Sequence, residues 1–509
     1  MANKAVMARD RLMAYLTDSG VDPATVNEMA VVADVALSLV AELGAEFNDR
    51  LPTFMTLDDY YRGVPPMPGS PDRLTEKYKE LHQMSRSNWL ALVVDVVNER
   101  LRIGSIASTG NPVQDKVAWN WWRANNMDGT SSQVHAAALK YGLCYVSVWP
   151  TGDVKRPLMM GESPLTCYVR YHHESGMATA ALRVWQDGPC QRIYADLTLP
   201  GYQFHLVSDS ECSSTTIAMS EVSPNRHIVT VDLSEVDWRF REDVLPVERN
   251  PLGEVPYVKM LTEPDLVGGY RSEIEGLTST QDRISKTNFD RLMAQAFASF
   301  PRAWITGIDV PTDPKSGKPK EPFDAAVDRL WTIENENARV GQLDPAELEG
   351  YIKANTADVQ ALATQSRTPP HHLLAGMSVF PSGESLRATE FGLTRKVQAR
   401  QQSYGDAWSD VLRLAGRVVN NKRLANDLGL GVVWEDVEAR SEAEVVDALT
   451  KMASLGVPNE ALWQRWGATP DQIAAWAAAN AVAADKTPPT DAPPALPVGD
   501  ELGSSEPTP

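Results

Sequence analysis

The sequence predicts an α+β fold in which a mixed body is joined to unusually long helices, and two patterns predict it. Between about 144 and 260, six short aromatic and β-branched runs are separated by Gly, Pro, Ser or Asp turns, as in antiparallel strands. On either side, apolar residues recur at helical spacing over stretches longer than an average helix. With 509 residues, 43% hydrophobic and 23% charged, the chain has room for about three packed units at roughly 150 residues each.

Residues 1 to about 104 read as helical. The run "MAVVADVALSLVAEL" (29 to 43) is interrupted by Asp34 and Ser38. It falls short of the ~18 to 20 uninterrupted apolar residues of a membrane span and reads as a core helix. The N-terminus has no continuous apolar core, which argues against a signal peptide. Asp58 and Asp59, ahead of "YYRGVPPMP", read as a helix N-terminus before a Pro-rich turn rather than as a catalytic pair. In "SNWLALVVDVVNERL" (87 to 101), Leu90, Val93, Val94, Val97 and Leu101 share one helix face. Residues 113 to 150 then read as helix, turn at Asp128-Gly129, helix and the strand "CYVSVWP". The β region follows with "TCYVRYH", "TAALRVWQ", "RIYADLTL", "YQFHLVS", "HIVTVDL" and "DWRFRED", and closes at "NPLGEVPYVKM".

A long helix is expected over 272 to 300, opened by a capping box of Ser272 and Glu275 and carrying Phe289, Met293, Phe297 and Phe300. It stops at Pro301. A second begins at Asp344-Pro345-Ala346-Glu347 and runs through Leu348, Ile352, Val359 and Leu362 to Thr368-Pro369-Pro370. At 1.5 Å per residue these span about 40 Å and about 35 Å. They flank a turn-rich insert, with "RAWITGI", "DPKSGKPKEP" and "RLWTIE", that reads as a small β unit. A third helix over 385 to 421, about 55 Å long, puts Leu386, Leu393, Val397, Tyr404, Trp408, Val411 and Ala415 on one stripe. After 430 the chain reads as short helices. One has a capping box at Ser441 and Glu444 and a stop at Gly456, and another has Thr469 as cap, Pro470 at the first position and Gln472 at the third. Residues 484 to 509, with seven prolines, read as a disordered tail.

The chemistry the sequence argues against is as informative. The chain has 48 Lys+Arg against 67 Asp+Glu, a net charge of -19, the wrong sign for a surface that grips nucleic acid throughout. There is no G-x-x-x-x-G-K-[ST], H-E-x-x-H, G-x-S-x-G or G-x-G-x-x-G. Cys144, Cys167, Cys190 and Cys212 are more than twenty residues apart, as in structural thiols rather than a zinc or redox motif. His371 and His372 lie in "TPPHHLLAGMSVFPSGES" with Ser382 and Glu384, and a hydrolase using His371, His372 and Ser382 is the alternative reading. Adjacent side chains diverge by about 100° on a helix, so one histidine is expected to pack and the other to face water rather than share a metal or proton. Ser382, Gly383 and Glu384 read as a helix start, and His172-His173 as a strand and turn. No metal or cofactor is expected. Lys315, Lys318 and Lys320 are a candidate contact on a hairpin tip.

Taken in order, "YYRGVPPMP", "WLALVVDVVNERL", "WNWWRANNMDGTSSQVHAAALKYGLCYVSVWP", "NPLGEVPYVKM", "SEIEGLTSTQDRISKTNFDRLMAQAFASFPRAWITGI", "SRTPPHHLL" and "PSGESLRATEFGLTRKVQARQ" resemble the portal proteins of tailed bacteriophages, of the type found in siphophages of actinobacteria. The resemblance covers roughly 50 to 420; a non-enzymatic minor capsid or neck protein is a further alternative, against which the order of long helix, clip and long helix argues. The resemblance implies a portal fold: an α+β wing over 1-270, a stem of helices at 271-300 and 344-367, and a small β clip at 301-343. It further implies a tunnel loop at 368-384, a long kinked helix at 385-429 and a helical crown at 430-483, ahead of the tail. It implies a homo-oligomeric ring, typically a dodecamer, at a unique capsid vertex, assembled in the host cytoplasm. Its partners would be passing double-stranded DNA, the terminase large subunit, a head-tail adaptor, and major capsid and scaffolding proteins, with no membrane. Gly376, Met377, Ser378, Val379, Phe380, Ser382 and Gly383 would then face the channel, with Lys315, Lys318 and Lys320 meeting motor or adaptor.

No Lys or Arg falls between Arg367 and Arg387. Each phosphate contact would add about -0.9 to the slope of log K against log salt, and a ring of such contacts would hold DNA rather than pass it. The purified protein is therefore expected to bind linear duplex weakly and without sequence preference. Filter binding at physiological salt checks this, and tight binding there would contradict it.

Overall fold

The computed structural model describes residues 9–14, 17, 23–65, 76–153, 155–186, 192–209, 217–220, 223–298, 303–306, 339–342, 347–374, 383–437, 442–468 and 470–485. Two compact units divide at residue 440.

The first unit opens with α1 (Pro23–Arg62) and α2 (Glu76–Ser85). Along α1, Ala33, Ala36, Val40, Leu43, Phe47, Leu51, Phe54 and Leu57 repeat every three or four residues and are buried. Helix α3 (Trp89–Asn98) is capped by Asn88, whose side chain accepts from the Ala91 amide, and buries Leu90, Val93, Val94, Val96 and Val97. Strand β1 (Ile103–Ala107) follows, where only helix had been expected up to about 104. Asp115 caps α4 (Lys116–Ala124), accepting from the Val117 and Ala118 amides. Burial would raise its carboxyl, but the Ala118 amide and Arg423 hold it below the usual range.

The break before α5 (Met127–Tyr141) lies at Asn126, in the left-handed region at φ 53°, and not at Asp128-Gly129. Asparagine tolerates that conformation, and Asp128 instead sits in the first helical turn, where it accepts from Trp122 Nε1 at 2.9 Å. Gly142 ends α5 at φ 81°, and a Cβ there would lie 2.8 Å from the Tyr270 ring.

Strands β2 (Leu143–Pro150) and β3 (Pro157–Glu162) pair antiparallel from Tyr145↔Glu162 to Pro150↔Pro157. Next come β4 (Cys167–Tyr171), β5 (Ala178–Gln186), β6 (Ile193–Thr198) and β7 (Tyr202–Ser208), a meander extended by β10 (Trp238–Phe240) and β11 (Val247–Arg249), both on β7. Between them β8 (Ile217–Ser220) and β9 (Ser223–Val229) form a separate hairpin. The six expected runs correspond to β4, β5, β6, β7, β9 and β10. Strand β12 (Tyr257–Leu261) pairs on the free side of β2, Tyr257↔Ser147 to Leu261↔Leu143. Cys144 and Cys167 are free and buried, and burial pushes both thiols up; Cys190 and Cys212 lie outside the described residues.

Helix α6 (Thr278–Ala298) leads to a ribbon of β13 (Ala303–Thr306) and β14 (Arg339–Gln342), then α7 (Glu349–Ser366) and the one-turn α8 (Pro370–Leu373). The 36-residue α9 (Gly383–Val418) packs along β2, β12 and β15. Of its expected stripe, Leu393, Val397, Tyr404, Trp408, Val411 and Ala415 are fully buried, while Leu386 is 37% exposed. After α10 (Lys422–Ala425), β15 (Gly431–Trp434) pairs with β1, Ile103↔Trp434 to Ala107↔Gly431. Helix had been expected throughout this stretch, but a four-residue strand has no period to read, and its partner lies far away in sequence.

The core of the first unit meets at His135. Its ring stacks on Tyr404 at 5.4 Å, meets Trp408 edge-on at 5.8 Å and Trp434 at 5.5 Å, and its Nε2 accepts from Trp408 Nε1 at 2.8 Å. Trp122 meets Trp408 at 5.0 Å. Helix α9 and strand β15 therefore close on one imidazole of α5, with α4 joining through Trp122 on Trp408.

The second unit contains α11 (Glu442–Ser454), α12 (Asn459–Trp466) and α13 (Pro470–Asp485). Gly456 lies past α11 at φ 85°, as the sequence predicts for a stop. Leu462 and Ile473 are buried, and Trp463 and Trp476 meet at 5.6 Å. Thr469 and Ser441, expected as caps, and the tail from 486 lie outside the described residues.

Burial pushes the His135 imidazole down from 6.5 to about 3. Between those values the unfolded chain binds a proton that the folded chain refuses, so this residue withdraws stability as pH falls through 6.5 towards 3. His135→Gln retains an acceptor for Trp408 and should flatten that dependence, read as urea midpoints from pH 7 to pH 4; an unchanged slope would contradict it.

Candidate functional site

The region the sequence singles out is the excursion between β12 and α9. Its root is set by β12's exit. Thr262 Oγ1 donates to the Ala138 carbonyl at 2.7 Å and lies 2.5 Å from Tyr404 Oη. Ser272, expected to cap a helix, is buried, donates to the Lys140 carbonyl at 2.6 Å and accepts from the Ile274 amide. A 3-10 turn over Glu275–Leu277 leads into the α-helix that begins at Thr278, and the serine hydroxyl is taken by the α5 terminus rather than by a helix start of its own.

Glu273 is the charge centre of this root. Lys396 Nζ lies 2.6 Å from Oε2 and Arg400 Nη2 2.6 Å from Oε1, and all three side chains are at most 7% exposed. Arg400 also reaches Glu263 at 2.6 Å. Burial would lower the guanidinium, but Glu273 and Glu263 more than reverse it and its pKa is raised. The same Lys396 ammonium donates to the Ser366 carbonyl at 2.9 Å, at the C-terminal end of α7, where a cation complements the helix dipole. One side chain of α9 therefore holds both ends of the excursion.

Helices α6 and α7 pack as a pair through buried Ile284, Val359, Leu362 and Ala363. Polar ties run along them: Thr280 to Gln365 at 3.2 Å, Arg283 to Asp358 at 3.3 Å and Asn355 to Asn288 at 2.8 Å. Gln281 fastens α6 to the body, donating to the Ser87 carbonyl at 2.6 Å and accepting from the Trp89 amide. Tyr60 Oη donates to Asp282 at 2.9 Å. Burial fades toward the other end of the pair, where Ile352 is 51% exposed and the β13–β14 ribbon continues, Ala303↔Gln342 to Thr306↔Arg339. Of the expected insert strands, "RAWITGI" contains β13, whereas "RLWTIE" and Lys315, Lys318 and Lys320 lie outside the described residues.

Asp58 and Asp59 fall in the last turns of α1, not at a helix N-terminus. Asp58 is buried and accepts from Lys140 Nζ and Tyr141 Oη at 2.8 Å each, so it ties α1 to α5.

Helix α7 ends at Ser366, with Arg367 left-handed at φ 54° and the Thr368 amide donating to Ala363. Pro370 then opens α8 rather than merely ending α7. The two histidines of α8 overturn the expectation that they diverge. His371 Nε2 and His372 Nε2 each lie 2.8 Å from Glu390 Oε1, and their rings are 4.3 Å apart. The 100° between adjacent Cβ bonds fixes only the first bond; two further torsions let both rings converge on an acceptor lying between them. Arg100 from the end of α3 meets the other oxygen, Oε2, at 3.4 Å. Gly383 is the first residue of α9, as expected of a helix start; Gly376, Met377, Ser378, Val379, Phe380 and Ser382 lie outside the described residues.

A cavity of about 670 Å³ lies elsewhere, between β12 and α9, lined in part by Tyr171, Glu254, Lys259, Asp410 and Arg417. Neither His371 nor His372 of the hydrolase alternative lines it. No described helix is long and apolar enough to cross a membrane. Sequence reasoning missed Glu273, Lys396 and Arg400; the signal available was two cations at i and i+4 within an otherwise apolar stripe.

A mixed body bearing a rooted helical pair tipped by a β ribbon, and spanned by one long helix with a buried face, is the build of a structural assembly subunit. The family model for phage portal proteins of the SPP1 Gp6-like type matches residues 41–485, and the chain belongs to that family. It is 25% identical over 394 residues to a portal protein of Mycobacterium phage D29, covering 72% of this chain and 73% of that one. It is 23% identical over 412 residues to a portal protein of Mycobacterium phage L5, covering 75% and 76%. Phage portal proteins are structural components of the virion capsid that form oligomeric rings.

Removing one partner of a buried ion pair leaves the others uncompensated and costs about 3 to 5 kcal/mol. Glu273→Gln should therefore lower the urea midpoint of the purified protein at unchanged m-value. A midpoint equal to wild type would show that the three charges are not coupled.

Proposed function

We propose that this chain forms the portal ring at the single DNA-entry vertex of a phage capsid, most simply as a dodecamer, and that double-stranded DNA passes along its axis during packaging and ejection. In this reading residues 1-270 are the wing, the helices within 271-300 and 344-367 the stem, and 301-343 the clip. Residues 368-384 are the tunnel loop, 385-429 the long helix and 430-483 the crown. The terminase large subunit and then a head-tail adaptor dock at the clip, where Lys315, Lys318 and Lys320 offer positive charge to acidic partner surfaces. The wing meets the major capsid and scaffolding proteins, and assembly takes place in the host cytoplasm. The loop residues Met377, Val379 and Phe380 touch the duplex without holding it, because none carries a positive charge. The chain itself performs no catalysis, and motor energy comes from its partner.

The observation that carries this reading is the helical pair α6–α7, fixed to the body at one end by Gln281 and Lys396 and continued at the other by an antiparallel ribbon, in a chain whose family match spans 41–485. Negative-stain images of the purified protein should show rings with an axial hole and radial projections. Particles that remain monomeric or dimeric at micromolar concentration would overturn it.

A further inference from the structure

Three metal-type donors converge beside the root of the helical pair. A ring nitrogen of His371, one of His372 and a carboxylate oxygen of Glu390 all lie within 4.8 Å of one another. Two imidazoles and one carboxylate are the donor set of zinc sites that keep a position open, and imidazole favours Zn²⁺ and its first-row neighbours over Mg²⁺ or Ca²⁺. Bonds of about 2.0 to 2.2 Å in tetrahedral array put ligand atoms about 3.3 Å apart, so the 2.8 Å contacts need to open by only about half an ångström. The side chains are 15%, 24% and 22% exposed, held in place yet reachable from solvent. Arg100 occupies Glu390 Oε2, which leaves Oε1 as the single oxygen facing both imidazoles. Its charge opposes a nearby cation and sets the affinity below that of a closed four-ligand site.

We propose that His371, His372 and Glu390 bind one divalent transition metal of the Zn²⁺ class, with water completing the coordination. Two ligands come from α8, just before residues 375–382, and the third from the second turn of α9, just after them. The metal therefore clips together the two ends of that eight-residue connection. Binding adds a crosslink between α8 and α9, and the folded chain gains stability as metal occupancy rises. The site stands on these three side chains alone and is independent of the portal reading.

The test uses the full-length, tag-free protein, stripped with a chelator, dialysed and titrated with Zn²⁺ alone and with Co²⁺ alone. Metal per chain is read by elemental analysis and coordination by visible Co²⁺ absorption. Wild type should take up one ion per chain and show the intense bands of a four-coordinate site. Glu390→Gln keeps an oxygen to accept an imidazole N–H but loses the anionic ligand, so it should melt near wild type and bind at least about 10- to 100-fold more weakly, the loss seen even when an outer-shell partner is removed. The double variant His371→Gln, His372→Gln should lose the absorption, while His172→Ala, His173→Ala should retain it. No uptake by wild type, or equal uptake by the His371/His372 double variant, would overturn the proposal.

Discussion

One ammonium group, Lys396 Nζ, is shared between the Glu273 carboxylate and the Ser366 carbonyl. Both acceptors bound the excursion that carries α6, the ribbon and α7, and the lysine that joins them stands midway along α9. Arg400, one turn further on, holds the second oxygen of Glu273. Burying three charges is expensive and offers little net stability over an apolar cluster, but each charge is satisfied only when all the partners are in register. A shift of α9 by one residue would leave a carboxylate and two cations without partners in a dry core. At the base of the helical pair the charges therefore add a demand for register to the packing of Ile274, Leu277, Leu362 and Ala363, which alone tolerates slippage more readily.

The same helix closes the aromatic core. Tyr404 stacks on His135 and Trp408 donates to it, four and eight residues beyond Arg400. The buried face of α9 thus passes from ionic to aromatic along its length. The ionic half sets where the helical pair is rooted; the aromatic half gathers α4, α5 and β15. A subunit that works by holding shape needs both, and neither depends on the chain's strongly acidic surface.

Patterns that repeat along the chain were legible in the sequence. The meander strands are short aromatic and β-branched runs bounded by turn residues, and the α9 stripe keeps its period over eight turns, so both were readable from composition and spacing. Caps were readable only where a residue's hydrogen bonds stay local. Ser272 has the right neighbour in Glu275 but spends its hydroxyl on Lys140, more than a hundred residues away. Asp128-Gly129 reads as a turn, yet Trp122 recruits the aspartate into a helix and the turn moves to Asn126. Asp58 looked like a helix opener because its partners, Lys140 and Tyr141, are distant in sequence. The histidine pair failed for a related reason: divergence of neighbouring side chains follows from the backbone alone, whereas their convergence is imposed by Glu390 on another helix. For the loop and clip residues the sequence remains the source of the reading.

The pairing of β1 with β15 has a mechanical consequence. Ile103 and Trp434 are aligned across 330 intervening residues, so all of the first unit beyond its opening three helices is a closed circuit that starts and finishes at one strand pair. Force applied to the far end of the α6–α7 pair cannot be relieved by unravelling from a terminus; it must first break that strand pair or tear Lys396 and Arg400 from Glu273. The excursion then has the build of a lever pivoted at Glu273, where Lys396 and Arg400 join it to the body.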